Sequence, residues 1–168
     1  YTDENDIICW HYDHSQQRTV KGINFVTCLY HCQGVSLPIG FEIVRKTEKY
    51  LDPKSGKEKR RSNRTKNEMY RDLMAQAVKN QILFKYALND IWFASAENMN
   101  FVKITLEKEF AMPLKGNRKV ATSAEAKQNG RYQSVDTLEL EPMKPVTVYL
   151  EGVEFPLLLV KQVFTNED

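Results

Sequence analysis

Glycine is scarce in this chain, seven in 168 residues, a poverty that argues against a dinucleotide-binding fold. No G-x-S-x-G elbow, phosphate loop or H-E-x-x-H helix occurs, which removes the usual signatures of serine hydrolases, NTPases and zinc proteases. Cysteine is limited to three, an odd number in no disulfide-like framework, which fits a reducing cytosolic compartment. No apolar window approaches the length of a membrane span, and no charged-then-apolar leader is present. Net charge is only +2 and by itself indicates no partner. The chain opens on Tyr1 rather than Met and stops just after an apolar run, so both ends read as cut.

What is present is enough apolar residue, 42% of 168, for one core or for one domain and part of another. Charge is unevenly spread. Between Lys46 and Lys66 nine basic residues stand against three acidic ones, a local balance of +6 that leaves the remainder at −4. A basic loop of this kind suits backbone-phosphate contact, and equally suits a solvated surface segment. Cys9, His11, His14, Cys28, His31 and Cys32 follow no common zinc-knuckle or ribbon spacing. They read as buried structural cysteines and surface histidines rather than a metal site.

Residues 23–30 are apolar on both faces, as in a central strand covered on two sides. A turn at 31–34 and a second strand over 35–44 complete a hairpin, with Pro38 expected to leave a gap or bulge in its ladder. Thr65 and Glu68 form a capping box. Tyr70, Leu73, Met74, Ala77 and Val78 then mark one face of a helix ending near Asn80. A strand over 82–88 stops before Asp90. Met99, Val102, Leu106 and Phe110 have the spacing of a second amphipathic helix, and a strand near 112–114 leads into Lys115-Gly116-Asn117-Arg118-Lys119. Residues 122–130 read as a polar linker, and 132–140, 146–150 and 155–164 as strands. The organisation predicted is an α/β core over 1–121 followed by a β-rich region over 122–168.

Asp90 is the residue with most chemical content. An acid at the carboxyl end of a strand lies where open α/β sheets bind ligands and metal ions, and hard divalent cations prefer such oxygens. The same position also suits a carboxylate that caps the next turn. Trp92 and Phe93 serve either as core or as stacking platforms for bases. Lys115 and Arg118 offer countercharge to a phosphate, although exposed basic loops also occur in inert domains.

Three segments carry a resemblance. Residues 9–24 (CWHYDHSQQRTVKGIN), residues 89–99 (NDIWFASAENM) and residues 114–120 (LKGNRKV) resemble, in order, three segments of bacterial insertion-sequence DDE transposases. They correspond to the stretch after the first catalytic Asp, the stretch around the second, and the strand and basic loop that follow. The resemblance runs over essentially the whole chain and implies an RNase H-like mixed sheet flanked by helices, followed by the start of a β-rich insertion. It implies metal-dependent cleavage and strand transfer of transposon ends in a bacterial cytoplasm. Two magnesium or manganese ions would be held by Asp, Asp and Glu, DNA would be the partner, and there is room for a homo-oligomer in the complete protein.

Only Asp90 matches one of the three acids, as catalytic residue and metal ligand. The first Asp would fall before Tyr1 and the Glu beyond Asp168, so the fragment alone is expected to be inactive. Lys115, Asn117 and Arg118 match the DNA-contacting loop. Two further readings remain open: an RNase H-like nuclease, and a catalytically inactive DNA-binding remnant.

Overall fold

A computed structural model of the chain describes residues 3–165, and these form a mixed α/β protein in two compact units, Tyr1–Phe84 and Lys85–Asp168. The first unit is built of hairpins and one long helix. β1 (Cys9–Asp13) pairs with β2 (Arg18–Gly22). β3 (Phe25–Cys32) pairs with β4 (Val35–Ile43), and β5 (Glu48–Leu51) with β6 (Glu58–Arg61). Gln33 and Gly34 both hold positive φ, 49° and 79°, as a two-residue turn matched to strand twist requires. The expected irregularity at Pro38 is there: Cys28 faces Gly40 but Leu29 faces Pro38, so Ile39 is the extra residue of a bulge. A proline has no N–H to give the ladder, and the bulge accommodates the gap.

β3 is nevertheless not covered on two sides. α1 (Lys66–Lys79) packs across β3 and β4 on one face, with Leu73 Cδ2 against Gly40. Phe25, Leu29 and Phe41 are exposed. The helix itself follows the sequence closely: the Thr65 side chain accepts from the Glu68 N–H, the Glu68 carboxylate accepts from the Thr65 N–H, and Asn80 closes the far end. Met69, Tyr70, Met74 and Ala77 are buried while Val78 is exposed. The buried stripe is therefore turned by about one residue from the face predicted.

The second unit holds β7 (Tyr86–Leu88) parallel to β8 (Glu109–Ala111). Between them come a 3-10 turn over Ile91–Phe93, α2 (Ala96–Asn100) and a π-helical turn over Phe101–Thr105. The predicted second helix ends before Phe110, because Glu107 takes a φ of 54° that no helix interior tolerates. Phe110 lies on β8 and still packs against the core. β9 (Lys119–Ala121), β10 (Gln133–Ser134), β11 (Val146–Leu150) and β12 (Leu157–Leu159) form an antiparallel sheet in the order β10-β9-β11-β12. β9 thus shares a sheet with strands on the far side of residue 122.

Residues 122–130, expected as a linker, contain a short helix, α3 (Ala124–Gln128), capped by Ser123. The run 132–140 is strand only at β10 before a 3-10 turn begins at Val135. The core of the unit is Ala94, Met99, Val120, Val148, Leu150 and Val153. Full burial of each larger apolar side chain contributes roughly 1.5–3 kcal/mol. Among the described residues the strands form several small sheets rather than one mixed sheet flanked by helices, and no helix is long and apolar enough to cross a membrane.

Candidate functional site

The site grows from the carboxyl ends of the parallel pair. Asp90 follows β7 and sits at the N-cap of the 3-10 turn, where Oδ1 accepts the Trp92 N–H at 3.3 Å. The capping reading is therefore realised. The carboxylate is exposed, and one long hydrogen bond leaves most of its acceptor capacity open. Behind the turn, buried Asn98 donates to the Phe93 carbonyl at 2.9 Å, and its N–H reaches Ser95 Oγ at 3.1 Å. Asn100 donates to the Gly152 carbonyl at 2.9 Å and accepts the Glu154 N–H at 3.2 Å. Residues 90–100 are thus fixed from behind, and Asp90 and Trp92 face outward at set positions.

The basic loop follows β8, so it leaves the same end of the parallel pair. The Arg118 N–H bonds the Lys115 carbonyl at 3.1 Å, closing a tight turn around Gly116 and Asn117. Two bonds strap it down: the Asp136 N–H to the Gly116 carbonyl and the Val135 N–H to the Arg118 carbonyl, each 2.9 Å. A side chain at Gly116 would meet the Asp136 Cβ at 3.1 Å, which accounts for glycine there.

This turn lies against the segment after Asp90. Lys115 Nζ stands 4.2 Å from the Trp92 ring centroid, and Arg118 Nη1 donates to the Ala94 carbonyl at 3.1 Å. Together they border a cleft of about 130 Å³ lined by Ile91, Trp92, Ala94, Ser95, Lys115 and Arg118. That is well below the roughly 300–1,000 Å³ of pockets for drug-sized ligands, and suits one phosphate group or one ring. Neither Lys115 nor Arg118 makes an ion pair among the described residues, so their charge is available to an anion.

The structure brings Lys115 and Arg118 together with the turn that Asp90 caps. Asn117 is exposed at the tip of its turn and does not line the cleft. Sequence reading missed the part played by the Ala94 carbonyl and Ser95. A backbone acceptor carries no side-chain signature, and Ser95 reads simply as the N-cap of α2, where it accepts the Asn98 N–H.

The metal ions implied by the resemblance find one carboxylate here. Among the described residues no group of three or more His, Cys, Asp or Glu is placed to hold a metal, so the residues present do not make up a metal centre by themselves. The cysteine and histidine set does not converge either. Cys9 is buried, Cys28 partly buried and Cys32 exposed. His11 is buried rather than on the surface.

Cys9 Sγ lies 3.4 Å from His11 Nε2, and His11 Nδ1 lies 3.3 Å from Asn24 Nδ2. This is the residue set of a thiol nucleophile, but its electrostatics are opposite. Burial pushes the Cys9 thiol up. Burial, with Lys46 and Lys66 adding to it, pushes the His11 imidazole down. Both effects favour the neutral pair, and reactivity needs a thiolate. The cluster is a structural anchor for β1.

The basic segment 46–66 is not a loose loop. It is largely the β5–β6 hairpin, and five of its nine cations are matched with acids. Lys49 pairs with Glu58 at 2.9 Å, Lys59 with Asp52 at 2.5 Å, and Arg61 with Glu48 at 2.8 Å. Arg60 pairs with Glu4 at 3.8 Å, and Arg64 with Glu42 and Asp72. Lys59 and Ser55 hold the Asp52 carboxyl down at about 2.

A family model described as DDE superfamily endonuclease matches residues 5–138, which takes in the strand-end acid, the turn it caps and the basic turn opposite. No curated protein and no solved structure matches the chain. The chain belongs to the DDE superfamily endonucleases.

Proposed function

We propose that the parent protein is a bacterial DNA transposase that cleaves and joins transposon ends with divalent metal ions. Asp90 would be the middle acid of its DDE set, and Lys115, Asn117 and Arg118 would be contacts to the DNA backbone. One observation carries the reading: the basic turn after β8 rests on the segment after Asp90, Lys115 against Trp92 and Arg118 against the Ala94 carbonyl. A phosphate held by the two cations would lie beside the turn that Asp90 caps, which is where a scissile group must be relative to its acid. Family membership supports nucleic-acid cleavage in general terms. Transposition, magnesium or manganese as the ions, and an insertion-sequence origin are the finer parts of the proposal. So are an RNase H-like core over 1–121 and an insertion over 122–168.

The work of this chain's own residues follows without any step through a metal. Lys115 is a point charge steadied over an indole face. Arg118 spends one N–H on the Ala94 carbonyl and keeps four for a phosphate's oxygens. Gly116 lets the turn close against Asp136 and holds the two cations on one side.

A second reading is favoured by the lone carboxylate beside the cleft, Asp90, which caps the adjoining turn and is not among the residues that line the cleft: these residues bind DNA without cutting it. One experiment separates the two. In a version extended to carry the set's other two acids, Asp90→Ala should abolish metal-dependent end cleavage and leave end binding largely intact. Cleavage that survives the substitution removes Asp90 from the acid set.

A further inference from the structure

The exposed half of Trp92 has no task in the reading above. Tryptophan is a costly residue to leave in water, and this one is 55% exposed at the mouth of the cleft. It is also held in place. Its backbone N–H is bonded by the Asp90 carboxylate, and Lys115 Nζ lies 4.2 Å from its ring centroid. The Lys115 ammonium is attracted to one face of the indole, and the part of the ring it leaves uncovered is an exposed, flat, apolar surface. Arg118 and Lys115 bring two positive charges to its border with no carboxylate paired to either among the described residues. A flat aromatic surface flanked by unneutralised cations matches an unpaired nucleotide, whose base has a π-face and whose backbone is anionic. Intact duplex has its bases already stacked and offers only the phosphates.

We infer that Trp92 is a stacking platform for an unpaired DNA base, placed two residues from Asp90, so that the site engages single-stranded or frayed DNA in preference to duplex. The inference rests on the phosphate-contact reading of Lys115 and Arg118 and names the form of DNA that this site takes. Stacking on Trp92 and phosphate contact at the turn would fix a nucleotide by both its ends. The strand would then be held open beside the acid.

The chain has two tryptophans, so a Trp10→Phe background makes Trp92 the sole indole reporter. An eight-residue oligothymidylate and a blunt hairpin duplex of equal charge are titrated against it at fixed salt. The expected result is quenching of Trp92 emission by the oligothymidylate and much less by the duplex. Trp92→Ala should weaken single-strand binding roughly tenfold or more and duplex binding only slightly, while Trp92→Phe retains most of it.

Circular dichroism of each variant separates loss of the platform from loss of the fold. If Trp92→Ala does not fold, the quenching and the Trp92→Phe affinity still decide the question. Absence of quenching, or equal weakening on single strand and duplex, overturns the platform. If Lys115→Ala with Arg118→Ala still weakens binding in that case, phosphate contact stands without stacking. If that double variant binds as the parent does, the phosphate reading fails as well.

Discussion

Two regions of this molecule are rich in lysine and arginine, and they differ in how that charge is used. The β5–β6 hairpin with its flanks carries nine of the 24 lysines and arginines, yet Lys49, Lys59, Arg60, Arg61 and Arg64 each face a carboxylate. The turn over Lys115–Arg118 carries only two with a direct role. One is set over an indole and the other against a backbone carbonyl. Exposed ion pairs are individually weak, but each places a negative charge beside a positive one, so these five cations offer a phosphate less field than their number suggests, and the hairpin's remaining surplus rests on Lys46, Lys54, Lys57 and Lys66. Local charge counted along a sequence is therefore a poor guide to an anion site. The partners of each cation decide it.

The basic turn depends on the strand that follows it. Leu150 is fully buried and faces Val120, one residue beyond the loop's last lysine, across the β9–β11 pair. Leu150→Ala should cost the C-terminal unit about 2–5 kcal/mol and loosen the strand that anchors Lys115 and Arg118. With Trp92 as reporter in a Trp10→Phe background, the urea midpoint should fall. With Trp10 as reporter in a Trp92→Phe background it should stay near that of the parent. A common shift of both midpoints would show that the two units unfold as one.

A smaller effect is expected from the other side. Thr65→Ala removes the N-cap of α1 and should lower the stability of the N-terminal unit by about 1 kcal/mol. The Trp10 midpoint should move while DNA affinity at the Lys115–Arg118 turn does not. Loss of binding on uncapping α1 would mean that the first unit contributes to the site.

The smallest effect is one of pH. His11 has its imidazole held below the ordinary value of 6.5, chiefly by burial. As pH drops through about 6.5 the unfolded chain takes up that proton first, so the unfolded form binds more protons and native stability declines with acidification. The Trp10 midpoint should fall between about pH 7 and 5, and a His11→Gln chain should show a flatter dependence. A midpoint that rises on acidification would mean that His11 is charged in the native state.

Much of what positions the site could be read from residues. The Gln33-Gly34 turn, the Pro38 irregularity, the Thr65–Glu68 capping box and the strand Val146–Leu150 all have local signals, and all formed. Other elements have no apolar periodicity to find. β5 and β6 are held by cross-strand charge pairs, with Arg61 also over the Tyr50 ring at 5.6 Å, so a strand pair reads as a loop. α3 is five polar and small residues behind a serine cap. Phe110 has the helical spacing expected of it, but the positive φ at Glu107 moved it to a strand while leaving it in the core. The exposed face of β3 shows that an apolar run states what a strand is able to bury, not what covers it.

For the site, position after a strand predicted Asp90 and the basic turn, and both lie at the same end of the β7–β8 pair. The contacts that join them, an indole face and a carbonyl, are products of the fold. Neither can be seen in the string of residues.

The Lys115–Arg118 turn offers a phosphate more usable charge than the ion-paired cations of the hairpin do. The most direct test of that difference is the salt dependence of binding to one mixed-sequence DNA duplex, measured for the parent chain and two double variants. For Lys115→Ala with Arg118→Ala the slope of log Kobs against log salt should shrink by about 2, close to one for each phosphate no longer neutralised. For Lys49→Ala with Lys59→Ala it should change by well under 1. A large drop in slope for the hairpin variant, with none for the turn variant, would contradict the account.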